Sequence, residues 1–294
     1  MTNPPELTPE ARASLLHALA WQIELGADEC IAETPADRFA EAAAGPKAAL
    51  KAAASKPQLK PASASRQSAR PASPAIADAE TGAGEAVTEA KALAAAAGDL
   101  DALKTAIERF DGCSLKQGAR NTVFSDGNPA ARVMFIGEAP GRDEDREGKP
   151  FVGRSGQLLD RMLAAIGLDR RSEAPETAAY IANVLPWRPL ADRDPSTAEA
   201  EMLWAFLERH IELAAPELIV ALGRSPAATL ANRPVRITRE RGRWTAPPRT
   251  GGRPLLMTLH PAYLLRQPAE KAKSWRDLLM LRAALDGEAP RIEE

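Results

Sequence analysis

The stretch Arg132-Val-Met-Phe-Ile-Gly-Glu-Ala-Pro-Gly141 decides the fold. Four apolar residues run without alternation and stop at a glycine, the pattern of a parallel strand buried on both faces. Three later stretches repeat it: Ala178-Ala-Tyr-Ile-Ala-Asn-Val184, Glu217-Leu-Ile-Val-Ala-Leu-Gly223 and Pro254-Leu-Leu-Met-Thr-Leu-His260. Between and after them lie helical patterns over Ser155–Ile166, Thr197–Ala214, Ser225–Ala231 and Pro268–Leu285. Ser196 or Thr197 offers a cap for the second. Alternating strand and helix predicts an α/β fold: a three-layer α/β/α sandwich around a central four-stranded parallel sheet. Ligands of such sheets bind beyond the carboxyl ends of the strands. Glu138, Asn183 and His260, each at a strand end, are therefore expected on one edge.

Working outward, Val87–Phe110 reads as a helix leading into this domain, which is expected over 87–290. From Thr34 to Gly84 the chain is dominated by Ala, Pro, Ser, Lys and Glu, with Phe39 its single aromatic. It cannot bury enough apolar area to offset its ordering entropy, so 34–86 is expected as a disordered Ala/Pro-rich linker. Leu15, Leu16, Leu19, Ile23 and Leu25 fall near helical spacing, which predicts an N-terminal helix within 1–33. The extension is thus read as helical and disordered.

The chain has 294 residues, 45% of them apolar, and a net charge of -2. Bulk charge does not announce nucleic acid, but the stretch from Arg233 to Arg253 holds seven Arg and the single acid Glu240. Such a face can bind phosphate locally, or be only a solvated loop. The 2 cysteines, Cys30 and Cys113, exclude a disulfide framework and point to a reducing compartment. No apolar run approaches the ~20 residues of a membrane span, and Met1–Glu10 lacks the pattern of a signal peptide. A cytoplasmic protein with no membrane partner is expected, with a monomer as the default.

Four segments carry a resemblance: Gly137-Glu-Ala-Pro-Gly141, Gly148-Lys-Pro-Phe-Val-Gly-Arg-Ser-Gly-Gln157, Asn183-Val-Leu-Pro-Trp-Arg-Pro189 and His260-Pro-Ala-Tyr-Leu-Leu-Arg266. In order and approximate spacing they resemble the family 4 uracil-DNA glycosylases, over about Cys113 to Leu285. The resemblance implies a monofunctional DNA glycosylase of base excision repair. It would hydrolyse the N-glycosidic bond of uracil, leave an abasic site, and take DNA containing uracil or abasic sites as partner.

That reaction requires a base flipped into a shaped pocket. Phe151 matches the family's stacking aromatic and Asn183 its base-reading amide, which offers both a donor and an acceptor. The ordinary alternatives are a core Phe and an Asn that ties a turn. Ala139 stands where the best-known glycosylase family carries an Asp, and counts with these two as uracil-contacting. His260, one of 3 His, matches the histidine that stabilises negative charge growing on the departing ring. For orienting or activating water the candidates are Glu138 first, then Glu144, then Asp192. The oxocarbenium-like state can also be stabilised by a carboxylate's charge alone. Leu264, Leu265 and Arg266 are candidates for a wedge entering the minor groove; alternatively the Leu pair packs inward. Ser155 and Ser225 are placed to hold phosphate at helix N-termini, or simply to cap them.

Family 4 members usually hold a four-iron cluster on four Cys. Here only Cys113 matches; Phe110 and Trp187 stand at two other ligand positions, and the helix near Met202 has no Cys. One thiolate cannot hold a cluster that takes four, so no iron–sulfur cluster and no metal are expected. Phe110, Trp187 and Met202 are expected to pack together in its place. The alternatives within reach of the sequence are a low-turnover binder or shield of abasic or uracil-containing DNA, and a small-nucleotide hydrolase on the same sheet.

Overall fold

A computed structural model describes residues 75–189 and 197–293. The expected helix within 1–33, the linker up to residue 74, Ser196 and Asp192 lie outside the described residues.

The four expected strands form as β2 (Val133–Gly137), β3 (Tyr180–Asn183), β4 (Leu218–Leu222) and β6 (Leu255–Thr258), all parallel in the order β3-β2-β4-β6. Two more strands extend the sheet to six. β1 (Ser125–Gly127) pairs antiparallel with β3, and β5 (Trp244–Thr245) pairs antiparallel with β6. The four-stranded expectation is corrected accordingly. Ser-Asp-Gly and a two-residue strand carry no hydrophobic pattern, and both sit at edges where pairing needs only one face.

The helices are α1 (Ala75–Ala96), α2 (Leu100–Arg109), α3 (Arg142–Glu147), α4 (Arg154–Ala164), α5 (Thr197–Ala214), α6 (Arg224–Ala231), α7 (Ile237–Glu240), α8 (Pro261–Arg266) and α9 (Lys271–Leu285). The single helix expected over Val87–Phe110 is in fact two. Asp99 ends the run by accepting the Ala102 N–H at 2.7 Å, an N-cap worth about 1 kcal/mol that starts α2. α1 also begins at Ala75, inside the stretch expected as linker.

The pleat divides each central strand between two cores. Met134 and Ile136 of β2, with Tyr180, Ala182, Ile219, Ala221 and Met257, face a cluster completed by α1, α2, α5 and α6. Val133 and Phe135, with Ile181, Val220 and Leu256, face a cluster completed by α4 and α9. These are the three layers. The chain leaves β2 for β3 on one side and returns to β4 on the other, so a crevice opens between the carboxyl ends of β2 and β4.

One buried ion pair anchors the far side of that crevice. Asp277 of α9 accepts from Thr258 Oγ1 at 2.6 Å, and Arg241 Nε donates to it at 2.8 Å. Thr258 is the last residue of β6, two before His260, so this network fixes where the histidine leaves the sheet.

Candidate functional site

β2 and β3 continue their ladder past the strand ends. Gly137 is the register partner of Asn183; the Val184 N–H donates to Gly137 O and the Leu185 N–H to Glu138 O, each at 2.9 Å. This holds the Gly137–Gly141 turn open over the sheet edge. The side chains of Asn183 and Phe151 lean into the space above Gly137. A Cβ there would lie 2.4 Å from Asn183 Oδ1 and 2.5 Å from the Phe151 ring. Glycine is thus required by close approach. The glycine that ends the strand is the signal in the sequence, although pattern reading alone gives it no task.

Phe151 is buried and has φ 54°, a left-handed conformation that costs a non-glycine residue on the order of 1 kcal/mol. Its carbonyl packs so closely on the first turn of α4 that Gly156 has no room for a Cβ. The Phe151 ring lies 5.6 Å, centroid to centroid, from the imidazole of His260. Asn183 is buried too, and among the described residues its Oδ1 has no hydrogen-bond partner. An orphaned buried acceptor is costly.

His260 caps α8: its Nδ1 accepts the Ala262 N–H at 3.0 Å. A nitrogen that accepts carries no proton, so the neutral ring holds its proton on Nε2. Burial, and then the nearby charge of Arg266, push its pKa down to about 4, against a smaller opposing pull from Glu144. The ring is therefore a neutral N–H donor near pH 7. Its Cβ packs against Gly223, whose φ of 103° is open to glycine, at 3.0 Å from where a Cβ would stand.

Glu138, exposed, and His260 line one cleft of about 360 Å³ together with Gly223, Arg224 and Ser225, at the crevice between β2 and β4. Ala139 is partly buried and packs on the core. Glu144 differs from Glu138. Its Oε1 accepts the N–H groups of Val152 (3.0 Å) and Gly153 (2.9 Å), and its Oε2 that of Gly141 (3.1 Å). It ties the Gly137–Gly141 turn to the loop of Phe151, with its oxygens already engaged.

Beside this lies a groove of about 500 Å³ bordered by Arg142, Arg154, Ser155, Leu265 and Arg266. Leu265 is partly exposed and Arg266 exposed. Leu264 is not available to the groove: it is 1% exposed and packs with Leu158 and Leu259. The expectation of a wedge built on Leu264 is corrected, because Leu264 turns fully into this cluster while Leu265, about 100° further round α8, packs at its margin and stays partly exposed.

Phe110, Cys113, Trp187 and Met202 all lie in one buried cluster, with Phe110 edge-on to Phe206 at 5.4 Å and Trp187 Nε1 donating to Thr122 Oγ1 at 3.0 Å. A four-iron cluster takes four thiolates; Cys113 brings one thiol, Phe110, Trp187 and Met202 bring none, and these residues do not fit the group. Among the described residues no three His, Cys, Asp or Glu side chains gather as a metal site. None of the described helices is long and apolar enough to cross a membrane.

Residues 124–279, just over half of the chain, match the family model "Uracil DNA glycosylase superfamily". Similar proteins include the type-4 uracil-DNA glycosylase of Thermotoga maritima, 35% identical over 58% of this chain and 90% of that protein. That of Archaeoglobus fulgidus is 40% identical over 53% of this chain and 78% of that protein. That of Pyrobaculum aerophilum is 35% identical over 62% and 92%. The crevice at the switch point, the Phe151–Asn183–His260 grouping and these matches lead to one assignment: the chain belongs to the uracil DNA glycosylase superfamily.

Proposed function

We propose that the protein hydrolyses the N-glycosidic bond of uracil in DNA, releasing the base and leaving an abasic site. The observation that carries this reading is the orphaned Oδ1 of Asn183 beside the Phe151 ring, which in turn lies 5.6 Å from the imidazole of His260. Uracil presents an N–H flanked by two carbonyls. Asn183 Oδ1 accepts that N–H and its amide nitrogen donates to one carbonyl, an edge that thymine shares but cytosine does not. Phe151 stacks on the ring, worth ~1–3 kcal/mol per base.

As the bond between C1′ and N1 breaks, its electron pair passes to the base and negative charge spreads to the carbonyl oxygen. The Nε2–H of neutral His260 donates to that oxygen, and the bond strengthens as charge develops. Glu138 orients the water that adds to C1′ and supports the positive sugar with its own charge. The water's proton passes to solvent as the abasic hydroxyl forms, and the uracil anion takes up a proton from solvent as it leaves. Glu144 is a positioning residue on this account, since its oxygens serve three backbone amides. Leu265 and Arg266 fill the gap left by the flipped nucleotide, and Ser155 and Ser225 hold flanking phosphates at the N-termini of α4 and α6.

We assign the activity to a cytoplasmic monomer without an iron–sulfur cluster. The support for the missing cluster is composition: 2 cysteines in 294 residues, where such a cluster takes four thiolates. The test is an oligonucleotide carrying a single uracil, incubated with the protein and divided. Strand cleavage only in the alkali-treated half is the expected result. Cleavage without alkali, or none in either half, overturns the reading.

A further inference from the structure

Arg170 is a buried cation that does not line the cleft. Its Nε and Nη2 lie 2.7 Å from Asp160 Oδ1 of α4, and its Nη1 lies 3.2 Å from Asp126 Oδ2 of β1. Two carboxylates fix the fork of the guanidinium, and the same Nη1 donates at 3.0 Å to the carbonyl of Pro150. That carbonyl belongs to the peptide unit immediately before Phe151.

We propose that Arg170 is a positioning residue for base excision, acting through Phe151; this rests on the glycosylase reading above. Phe151 holds φ 54°, and a left-handed residue persists only where its surroundings over-determine it. Glu144 grips the two amides after it, at Val152 and Gly153. Gly156 admits the close approach of the Phe151 carbonyl. Rotation of the Pro150–Phe151 peptide plane remains the route by which the strain relaxes, and the Arg170–Pro150 bond closes it. Were that plane to turn, the ring would leave its seat above Gly137 and beside Asn183. The stacking platform would no longer be formed before the base arrives. Lysine keeps the charge but is a single point donor, unable to span Asp160, Asp126 and the carbonyl together.

A double-mutant cycle tests this with the full-length protein. Single-turnover rates on uracil-containing DNA are measured at saturating enzyme for wild type, Arg170→Lys, Phe151→Ala and the double variant, with thermal melting of each. Arg170→Lys is expected to slow excision by on the order of tenfold to a hundredfold. In the Phe151→Ala background the same change is expected to alter the rate less than about twofold, because its target is gone. Equal losses in both backgrounds indicate a general structural role and overturn the proposal, as does an undiminished Arg170→Lys. If Arg170→Lys does not fold, Arg170→Gln, which keeps one N–H₂ donor, takes its place with the same criteria. An inactive wild type would overturn the glycosylase reading and this inference with it. An active wild type with equal losses overturns only the role of Arg170.

Discussion

Gly137 and Asn183 are partners across the β2–β3 ladder, and the side chain that Gly137 lacks is the space that the amide oxygen of Asn183 occupies. The same space admits the edge of the Phe151 ring. A single methyl at Gly137 must therefore separate the two groups assigned to the base. Gly137→Ala is expected to fold, since the contacts are with side chains, and to lose on the order of a hundredfold in excision rate. Melting and single-turnover assays read both; full activity would show that the pocket tolerates displacement of both side chains.

Leu264 and Leu265 are neighbours that differ in burial. Leu264 fills a cluster with Leu158 and Leu259. Its replacement by Ala is expected to cost about 2–5 kcal/mol of stability. Leu265→Ala, at the partly exposed margin of the same cluster, is expected to lower denaturant midpoints less than Leu264→Ala and to weaken activity on duplex more than on single-stranded substrate. The reverse assignment in unfolding and activity curves would show that α8 presents its other face.

Two histidines make acid destabilising. Burial pushes His210 down to about 3, and burial with Arg266 pushes His260 down to about 4, from the ordinary 6.5. His210 sits between Tyr180, whose hydroxyl lies 2.7 Å from Nε2, and the stacked ring of Phe124. Below pH 6.5 the unfolded chain takes up protons that the folded one refuses, so the contribution is complete above that pH and is lost as pH falls towards 4 and 3. Urea midpoints are expected to fall through this window. A neutral replacement, His210→Gln, should flatten the slope if it folds. The His260 limb of the activity profile is expected near pH 4; a limb at 6.5 would mean that the ring is not desolvated.

Phe110, Cys113, Trp187 and Met202, all in the same large buried core, stand at or near the positions where the resemblance would put iron ligands. Elemental analysis of the purified protein is expected to find no stoichiometric iron, and the visible spectrum no cluster band. Trp187→Ala is expected to cost about 3–5 kcal/mol, the loss of a large buried ring. Iron in proportion to protein, or a Trp187→Ala variant as stable as the parent, would contradict the packing account.

The central strands were legible because each is a run of apolar residues ending in Gly, Asn or His. The edge strands were not, because Ser125–Gly127 and Trp244–Thr245 are too short to carry a pattern. The break at Gly98-Asp99 is a stop and start signal that the apolar spacing around it obscures. At the site, the convergence of Glu138, Asn183 and His260 follows from strand ends alone. The division of labour between Glu138 and Glu144 does not, since it depends on which backbone amides lie within 3.1 Å of a carboxylate. Arg170 has no local signature either, because its partners Asp126, Pro150 and Asp160 meet only in the folded chain.

The most direct test of the account is the single-turnover rate on an oligonucleotide with one uracil, for wild type, Glu138→Ala and His260→Ala. Excision by wild type is expected, with a loss on the order of a hundredfold or more in each variant and melting temperatures preserved. Rates in both variants equal to wild type would contradict it, and so would a wild type that binds the DNA and releases no base.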